Sequence, residues 1–145
     1  MDDTGNRSCA LAQTVGVELI DGDGWSSAAA ELRYDSTDPY AATIVFHFAE
    51  REISWTLARD LIVTGLYEPT GEGDVHVRPG LDEQGHASVL IELSSPHGRA
   101  LVQARSRDVR EFVEKITETV RPGTELEYLD IDAAIDALLL GTPSE

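Results

Sequence analysis

Apolar and polar residues alternate over much of the first sixty positions, a pattern that predicts β-strands with one buried face. The predicted strands cover 11–19, 31–34, 42–48 and 52–57. The segments DGDG and DSTDP interrupt the alternation. We interpret both segments as turns, because aspartate, glycine and proline favour turn conformations.

The period then changes to that of a helix in LARDLIVTGL, where Leu57, Leu61 and Ile62 share one face and Gly65 can end the helix. Three further strands are predicted at 73–79, 86–94 and 98–104. A second helix is predicted at 106–120, with an apolar stripe of Val109, Phe112, Val113, Ile116 and Val120. A third helix is predicted from about Asp130 to Leu140.

This order of four strands and a helix, then three strands and two helices, predicts an α+β fold with largely antiparallel sheets. The 145 residues suit a single domain over 1–145, with 1–8 flexible and 141–145 a tail. Two β-rich halves that each end in a helix hint at structural duplication, although their residues do not repeat.

Charge then restricts the classes of partner. Acidic residues outnumber basic residues 27 to 11, and the formal net charge is -16. Such a chain repels nucleic acid and anionic membranes, because binding to them depends on basic contacts to phosphate. The N-terminus shows no signal sequence, and no apolar run approaches the ~20 residues of a membrane span. We therefore expect a cytoplasmic protein without direct membrane insertion.

No pattern of residues indicates catalysis, a cofactor or a bound metal. The glycine-rich segment PTGEGDV lacks the lysine of a phosphate-binding loop and lies between a helix and a strand, the reverse of the order such a loop needs. We interpret it as a turn. Asp132 and Asp136 lie four residues apart, but no histidine or third carboxylate joins them at a ligand spacing. We expect no enzyme, no cofactor and no metal site.

Four segments, taken together and in order, resemble a known family. They are LRYDSTDPYA, ISWTLARDLIVTGLYEPTGEGDVHVRP, LSSPHGRALVQA and PGTELEYLDIDAAIDALL. The combination is similar to the SsgA-like sporulation-specific cell division proteins of actinobacteria, and among them to the SsgB type. The resemblance covers the chain from about Cys9 to Leu140.

The resemblance implies a fold and a function that the residues alone do not give. The implied fold is similar to that of the whirly-type single-stranded nucleic-acid-binding proteins, assembled as a homotrimer. The implied function is non-enzymatic. Members of the family help to place the tubulin-like GTPase FtsZ at sporulation septa, so the implied partners are FtsZ and an SsgA-type paralogue. Recruitment to the cell septum follows from the same resemblance.

An adaptor of this kind needs exposed contact residues, which are commonly found on loops and short elements. The candidates are Trp25 in the first polar loop, Arg59 and Asp60 on the short helix, and Tyr67 and Glu68 just after it. Each has an ordinary alternative: Arg59 and Asp60 form a local ion pair, Tyr67 fills the edge of the core, and Trp25 caps the sheet. The alternative function is a whirly-like single-stranded nucleic-acid-binding module, which rests on analogy of fold.

Overall fold

The computed structural model describes residues 10–21 and 24–129. These residues form one eight-stranded antiparallel sheet, two α-helices and a short 3-10 helix, Glu125–Tyr128. The first four strands are β1 Ala10–Asp21, β2 Gly24–Asp35, β3 Ala41–His47 and β4 Glu52–Ala58. The other four are β5 Thr70–Glu72, β6 Val75–Leu81, β7 Ala87–Ser95 and β8 Gly98–Arg105. The α-helices are α1 Arg59–Gly65 and α2 Ser106–Thr119.

The sheet consists of two halves of the same design. The strand order is β4-β3-β2-β1-β8-β7-β6-β5, so each half is a four-stranded meander, and each is followed in the chain by one helix. β1 and β8 join the halves through a short antiparallel ladder, from Val17 opposite Ala104 to Ile20 opposite Leu101. The structural duplication suggested by the sequence is therefore present in the fold.

The core lies between one face of the sheet and the two helices. Leu61 and Ile62 of α1 belong to the same buried cluster as strand residues such as Ile44 and Val89. The predicted apolar stripe of α2 is confirmed, because Val109, Phe112, Val113, Ile116 and Val120 are all buried. Each large apolar side chain buried in this way contributes roughly 1.5–3 kcal/mol relative to leaving it exposed.

The strand register assigns the alternate residues to the other face of the sheet. Val17 and Ala104 are opposite each other and both belong to the core cluster. Glu18 and Gln103, one step further along the ladder, therefore point to the face away from the helices. Ile20 and its partner Trp25 lie on that same outer face.

The second strand and Trp25 differ from the sequence prediction. β2 begins at Gly24, seven residues before the predicted start, so Trp25 lies in a strand and not in a loop. The segment from Ser26 to Ala29 has no apolar alternation, but it is held by a continuous ladder to β1. Asp21 is paired with Gly24 at the end of the β1–β2 ladder, and the turn predicted in DGDG involves residues 22 and 23, which lie outside the described residues.

The strand and helix counts also differ. The glycine-rich segment contains the additional strand β5, which forms a hairpin with β6 around Gly73 at φ +61°. That positive φ confirms the turn, because glycine adopts it without steric cost. Two α-helices are described in 10–21 and 24–129, whereas three were predicted. The third, from about Asp130 to Leu140, lies outside the described residues.

Candidate protein-contact surface

Arg59 is the first residue of α1 and is hydrogen-bonded to the β2–β3 connection. Its backbone N–H donates to the carbonyl of Tyr40 at 2.8 Å. Its Nη1 donates to Tyr34 Oη at 2.9 Å, and Tyr34 Oη in turn donates to the carbonyl of Pro39 at 2.9 Å. The guanidinium carbon lies 5.6 Å from the centre of the Tyr34 ring. We call Tyr34, Pro39, Tyr40 and Arg59 the Arg59 clamp.

The Arg59 clamp is buried. Arg59 is 2% exposed and Tyr34 is 2% exposed. Burial raises the pKa of the Tyr34 phenol above its ordinary value, and the hydrogen bond from Arg59 opposes part of that rise. The phenol therefore keeps its proton and can donate to Pro39 while it accepts from Arg59.

Arg59 was predicted to be an exposed contact residue. That prediction is wrong, because its side chain is buried. The alternative of a local ion pair is also wrong, since none joins Arg59 to Asp60 among the described residues. The physical reason is that β4 leads directly into α1, so the first helical side chain turns inward toward Tyr34. What Arg59 does is fix the start of the helix.

Three predicted contact residues are exposed around this helix. Asp60 is in its first turn, and Tyr67 and Glu68 follow its end. The backbone N–H groups of Tyr67 and Glu68 both donate to the carbonyl of Thr64, at 2.9 and 3.0 Å. α1 has seven residues, so its ends are about 10 Å apart. We call Asp60, Tyr67 and Glu68 the α1 corner.

Tyr67 is the most exposed aromatic side chain in the described residues. It is 69% exposed, so it does not fill the edge of the core. Tyr40, which the sequence prediction missed, is 48% exposed and is joined through its carbonyl to the start of α1. The signal for Tyr40 was its place in the Asp-Pro-Tyr segment of the resemblance, although nothing in that segment gives the exposure of its side chain.

Trp25 does not belong to the α1 corner. It is 53% exposed and lies on the outer face of the sheet, whereas α1 packs on the core face. Of the five predicted contact residues, three are therefore exposed at the two ends of α1, Trp25 is exposed on the other face of the sheet, and Arg59 is buried.

The described part of the chain shows neither a metal site nor a membrane-spanning helix. No group of three or more histidine, cysteine, aspartate or glutamate side chains in 10–21 and 24–129 is arranged to hold a metal ion. None of the helices in those segments has the length and apolar character needed to cross a bilayer.

Comparison with known proteins decides the family. The profile of the family described as Streptomyces sporulation and cell division protein, SsgA, matches residues 28–125. The chain belongs to the SsgA family. SsgB of Streptomyces coelicolor is 44% identical to this SsgA-family chain over 111 residues, which are 76% of this chain and 80% of that protein. SsgB of Salinispora tropica is 43% identical over 115 residues, which are 77% of this chain and 80% of that protein.

Solved structures agree with the fold of this SsgA-family protein. An SsgA-like sporulation-specific cell division protein from Thermobifida fusca superposes with a TM-score of 0.81 and 36% identity, covering 92% of this chain and 98% of that one. A second structure is of SsgB, studied in connection with longitudinal cell division during sporulation of Streptomyces coelicolor. It superposes with a TM-score of 0.79 and 37% identity, covering 86% of this chain and 99% of that one.

The residues that carried the family resemblance meet in the Arg59 clamp. Tyr34 comes from the Leu-Arg-Tyr-Asp segment, Pro39 and Tyr40 from Asp-Pro-Tyr, and Arg59 from Ala-Arg-Asp. In this SsgA-family chain they form a buried support rather than a contact surface. The segments recognisable in sequence thus hold the α1 corner in position.

Proposed function

We propose that this chain is a non-enzymatic adaptor in sporulation-specific cell division, which positions the division machinery at septa through protein contacts. The observation that carries the proposal is its 44% identity to the sporulation-specific cell division protein SsgB of Streptomyces coelicolor over most of both chains. The proposed partners are FtsZ and an SsgA-type paralogue, and the proposed site of action is the septum.

The geometry supports the α1 corner as the contact surface. Exposed tyrosine is frequent among the residues that dominate binding energy at interfaces. Tyr67 is exposed, the acidic Glu68 follows it in the chain, and the acidic Asp60 is exposed in the first turn of α1. The Arg59 clamp holds the start of α1 by hydrogen bonds of 2.8 and 2.9 Å. A surface held in this way loses little conformational entropy when it binds, and this favours affinity.

A homotrimer is part of the proposal, because three copies of a weak contact suit a partner that is a polymer. Linked sites can raise the overall avidity 10²–10⁴-fold without any new contact, provided that the geometry allows simultaneous engagement. FtsZ filaments offer many identical sites in a row. The adaptor would therefore prefer polymerised FtsZ to its free subunits.

Two experiments test the proposal. In a sporulating host that lacks its own copy, a fluorescent fusion of the chain should accumulate at septa and restore septation. In solution, the chain should sediment with polymerised FtsZ. Diffuse fluorescence throughout septation, together with normal septa in the deletion strain, would defeat the division role.

A matched pair of variants tests the α1 corner separately. Replacing Asp60, Tyr67 and Glu68 together by alanine should abolish septal accumulation. Leu81→Ala should not, although Leu81 is also 69% exposed, because it lies at the end of β6 away from the corner. Normal localisation of the triple variant, with protein levels unchanged, would reject the corner and leave the division role standing.

The alternative function, binding of single-stranded nucleic acid, has less support. Single-strand binders combine a basic groove with stacking aromatic residues. This chain has a formal net charge of -16. No observation in the described residues favours nucleic acid over protein as the partner.

A further inference from the structure

A cavity of about 530 Å³ opens where the two halves of the sheet join. The ladder between β1 and β8 ends at Val17 and Ala104. Gly16 and Arg105, the next residues along the two strands, both line the cavity. The cavity therefore lies at the end of the short ladder, and its volume is within the range of small-ligand sites.

Two buried polar side chains line this cavity. Ser88 is 1% exposed and Gln103 is 8% exposed. Gln103 Nε2 donates to Ser88 Oγ at 3.4 Å, which is a long bond. No other hydrogen bond of either side chain occurs within the described segments, so Gln103 Oε1 has no donor there. A buried acceptor is stabilised by a ligand that donates a hydrogen bond to it.

The rim of the cavity is acidic and has one aromatic wall. Its charged residues are four carboxylates and one guanidinium: Glu18, Asp82, Glu83, Asp108 and Arg105. The indole of Trp25 lines the same space and is 53% exposed. Such a lining repels anions and favours a cation, and tryptophan is the aromatic side chain that attracts a cation most strongly.

Three of these carboxylates also have local partners. The Ser27 hydroxyl donates to the Glu18 carboxylate, with its Oγ 3.1 Å from Oε1 and 2.9 Å from Oε2. Asp82 Oδ1 accepts the backbone N–H groups of Gln84 and His86, and its Oδ2 lies 3.3 Å from His86 Nδ1. Asp108 Oδ1 lies 3.8 Å from Arg107 Nε. Backbone donors carry no net charge, so Asp82 keeps its negative field while they orient it.

Gly16 leaves room in the lining. A Cβ built on Gly16 would meet no heavy atom within 4 Å. Glycine in the interior of a strand weakens it and often marks a place where a ligand approaches closely. At this position the glycine leaves space beside Glu18, Gln103 and Arg105.

We propose that this cavity binds the guanidinium group of an arginine side chain from a partner protein. Guanidinium is planar, carries five N–H donors and no acceptor, and stacks on aromatic rings. It can therefore donate to Gln103 Oε1 and to the carboxylates while it stacks on Trp25. Most of the lining strand residues point to the outer face, and the site shares no residue with the α1 corner, so this proposal does not rest on the proposed function.

The test uses a short peptide and the intact chain. The probe is acetyl-Ser-Gly-Arg-Gly-Ser-amide, titrated at physiological salt and followed by the backbone and indole N–H signals in NMR. The same peptide with lysine, or with the neutral arginine isostere citrulline, serves for comparison. We expect saturable shifts confined to residues lining the cavity, with arginine binding at least about five-fold more tightly than citrulline.

Matched variants separate this site from general attraction to an acidic surface. Gly16→Val places a side chain in the cavity without altering the net charge and should weaken arginine binding at least about five-fold. Ala29→Val makes a similar enlargement at the cross-strand neighbour of Gly16, outside the lining, and should have no effect. Gln103→Leu should remove much of the preference for arginine over citrulline. Thermal melting of each variant checks that it is folded.

Four results would each overturn the proposal. The first is equal affinity for the arginine and citrulline peptides, and the second is shifts spread over the whole acidic surface without saturation. The third is undiminished arginine binding by folded Gly16→Val. The fourth is tighter binding of the lysine peptide, which would reject guanidinium as the preferred ligand.

Discussion

Arg59 has a structural role despite its charged side chain. A buried charged group is costly unless its hydrogen-bonding groups are satisfied. Tyr34 supplies an acceptor at 2.9 Å, and the same hydroxyl donates to Pro39. One phenol therefore joins the β2–β3 connection to α1, and the position of the α1 corner depends on it.

Tyr34→Phe tests this role. The substitution leaves Arg59 Nη1 without its acceptor and the carbonyl of Pro39 without its donor. Water cannot easily replace the hydroxyl, because Tyr34 and Arg59 are each only 2% exposed. We expect the free energy of unfolding in urea to fall by about 1–3 kcal/mol. Tyr67→Phe is the control and should change it by less than ~0.5 kcal/mol, because Tyr67 is 69% exposed. Equal effects of the two variants would contradict the role of the Arg59 clamp.

Tyr34 also makes the stability of the fold depend on pH. The pKa of Tyr34 is raised in the folded chain above its ordinary value of 10.0, mainly by burial. The stabilisation linked to this shift is therefore fully present below pH 10 and is lost as pH rises through the folded pKa. Absorbance at 295 nm should show one tyrosine that ionises at higher pH than the rest, and Tyr34→Phe should remove that phase. A late phase that persists in the variant would assign it to another tyrosine.

At the scale of elements, the sequence predicted those whose apolar residues repeat with a regular period. The four buried apolar residues of α2 repeat at helical spacing, so that helix was predictable within one residue. β5 was missed because it has three residues, two of them exposed, and its existence depends on pairing with β6. The start of β2 was missed for the same reason, since the ladder to β1 defines it and no local pattern does.

In the candidate site, too, the features that depend on contacts between distant parts of the chain were not predictable from sequence. The chain segments around Arg59, Asp60, Tyr67 and Glu68 were identifiable from sequence, but their exposure was not. Exposure depends on which side chain turns toward Tyr34, 25 residues away in the chain. The cavity was not predictable at all, because its lining comes from β1, β2, β7, β8, α2 and the β6–β7 loop.

Close packing of α1 on β6 provides a prediction at the scale of the element. A Cβ at Gly65, the last residue of α1, would overlap the side chain of Val77, which is 1% exposed. Alanine is a better helix former than glycine by about 1 kcal/mol. We nevertheless expect Gly65→Ala to lower the free energy of unfolding by about 1–3 kcal/mol, because overpacking forces the core to move.

The control for Gly65→Ala is Gly16→Ala, where the added methyl group meets no atom within 4 Å. This substitution should stabilise the fold by roughly 0.5–1 kcal/mol, since glycine in a strand loses more entropy on folding. Urea denaturation measures both variants. A Gly65→Ala chain more stable than the wild type would show that α1 does not pack closely on Val77.

For the whole molecule, the net charge favours a protein over nucleic acid as the partner. With a formal net charge of -16 per chain, we expect no useful affinity for single-stranded DNA or RNA at physiological salt. Fluorescence anisotropy with labelled oligonucleotides measures this. Saturable binding at submicromolar concentrations would contradict the charge argument and revive the alternative function.

Assembly is the last expectation at this scale. Within the described residues the sheet ends at β4 and β5, and open strand edges favour pairing or covering by another chain. We expect a homotrimer of about three times 15.8 kDa, measured by light scattering after size exclusion. Because every subunit carries a formal net charge of -16, repulsion between subunits should weaken assembly at low ionic strength, where screening extends over ~30 Å instead of ~8 Å. The trimer should therefore dissociate at a higher protein concentration in 10 mM salt than in 150 mM salt. A chain that stays monomeric across micromolar concentrations at both salt levels would reject the trimer and, with it, the avidity on which the proposed binding to FtsZ filaments depends.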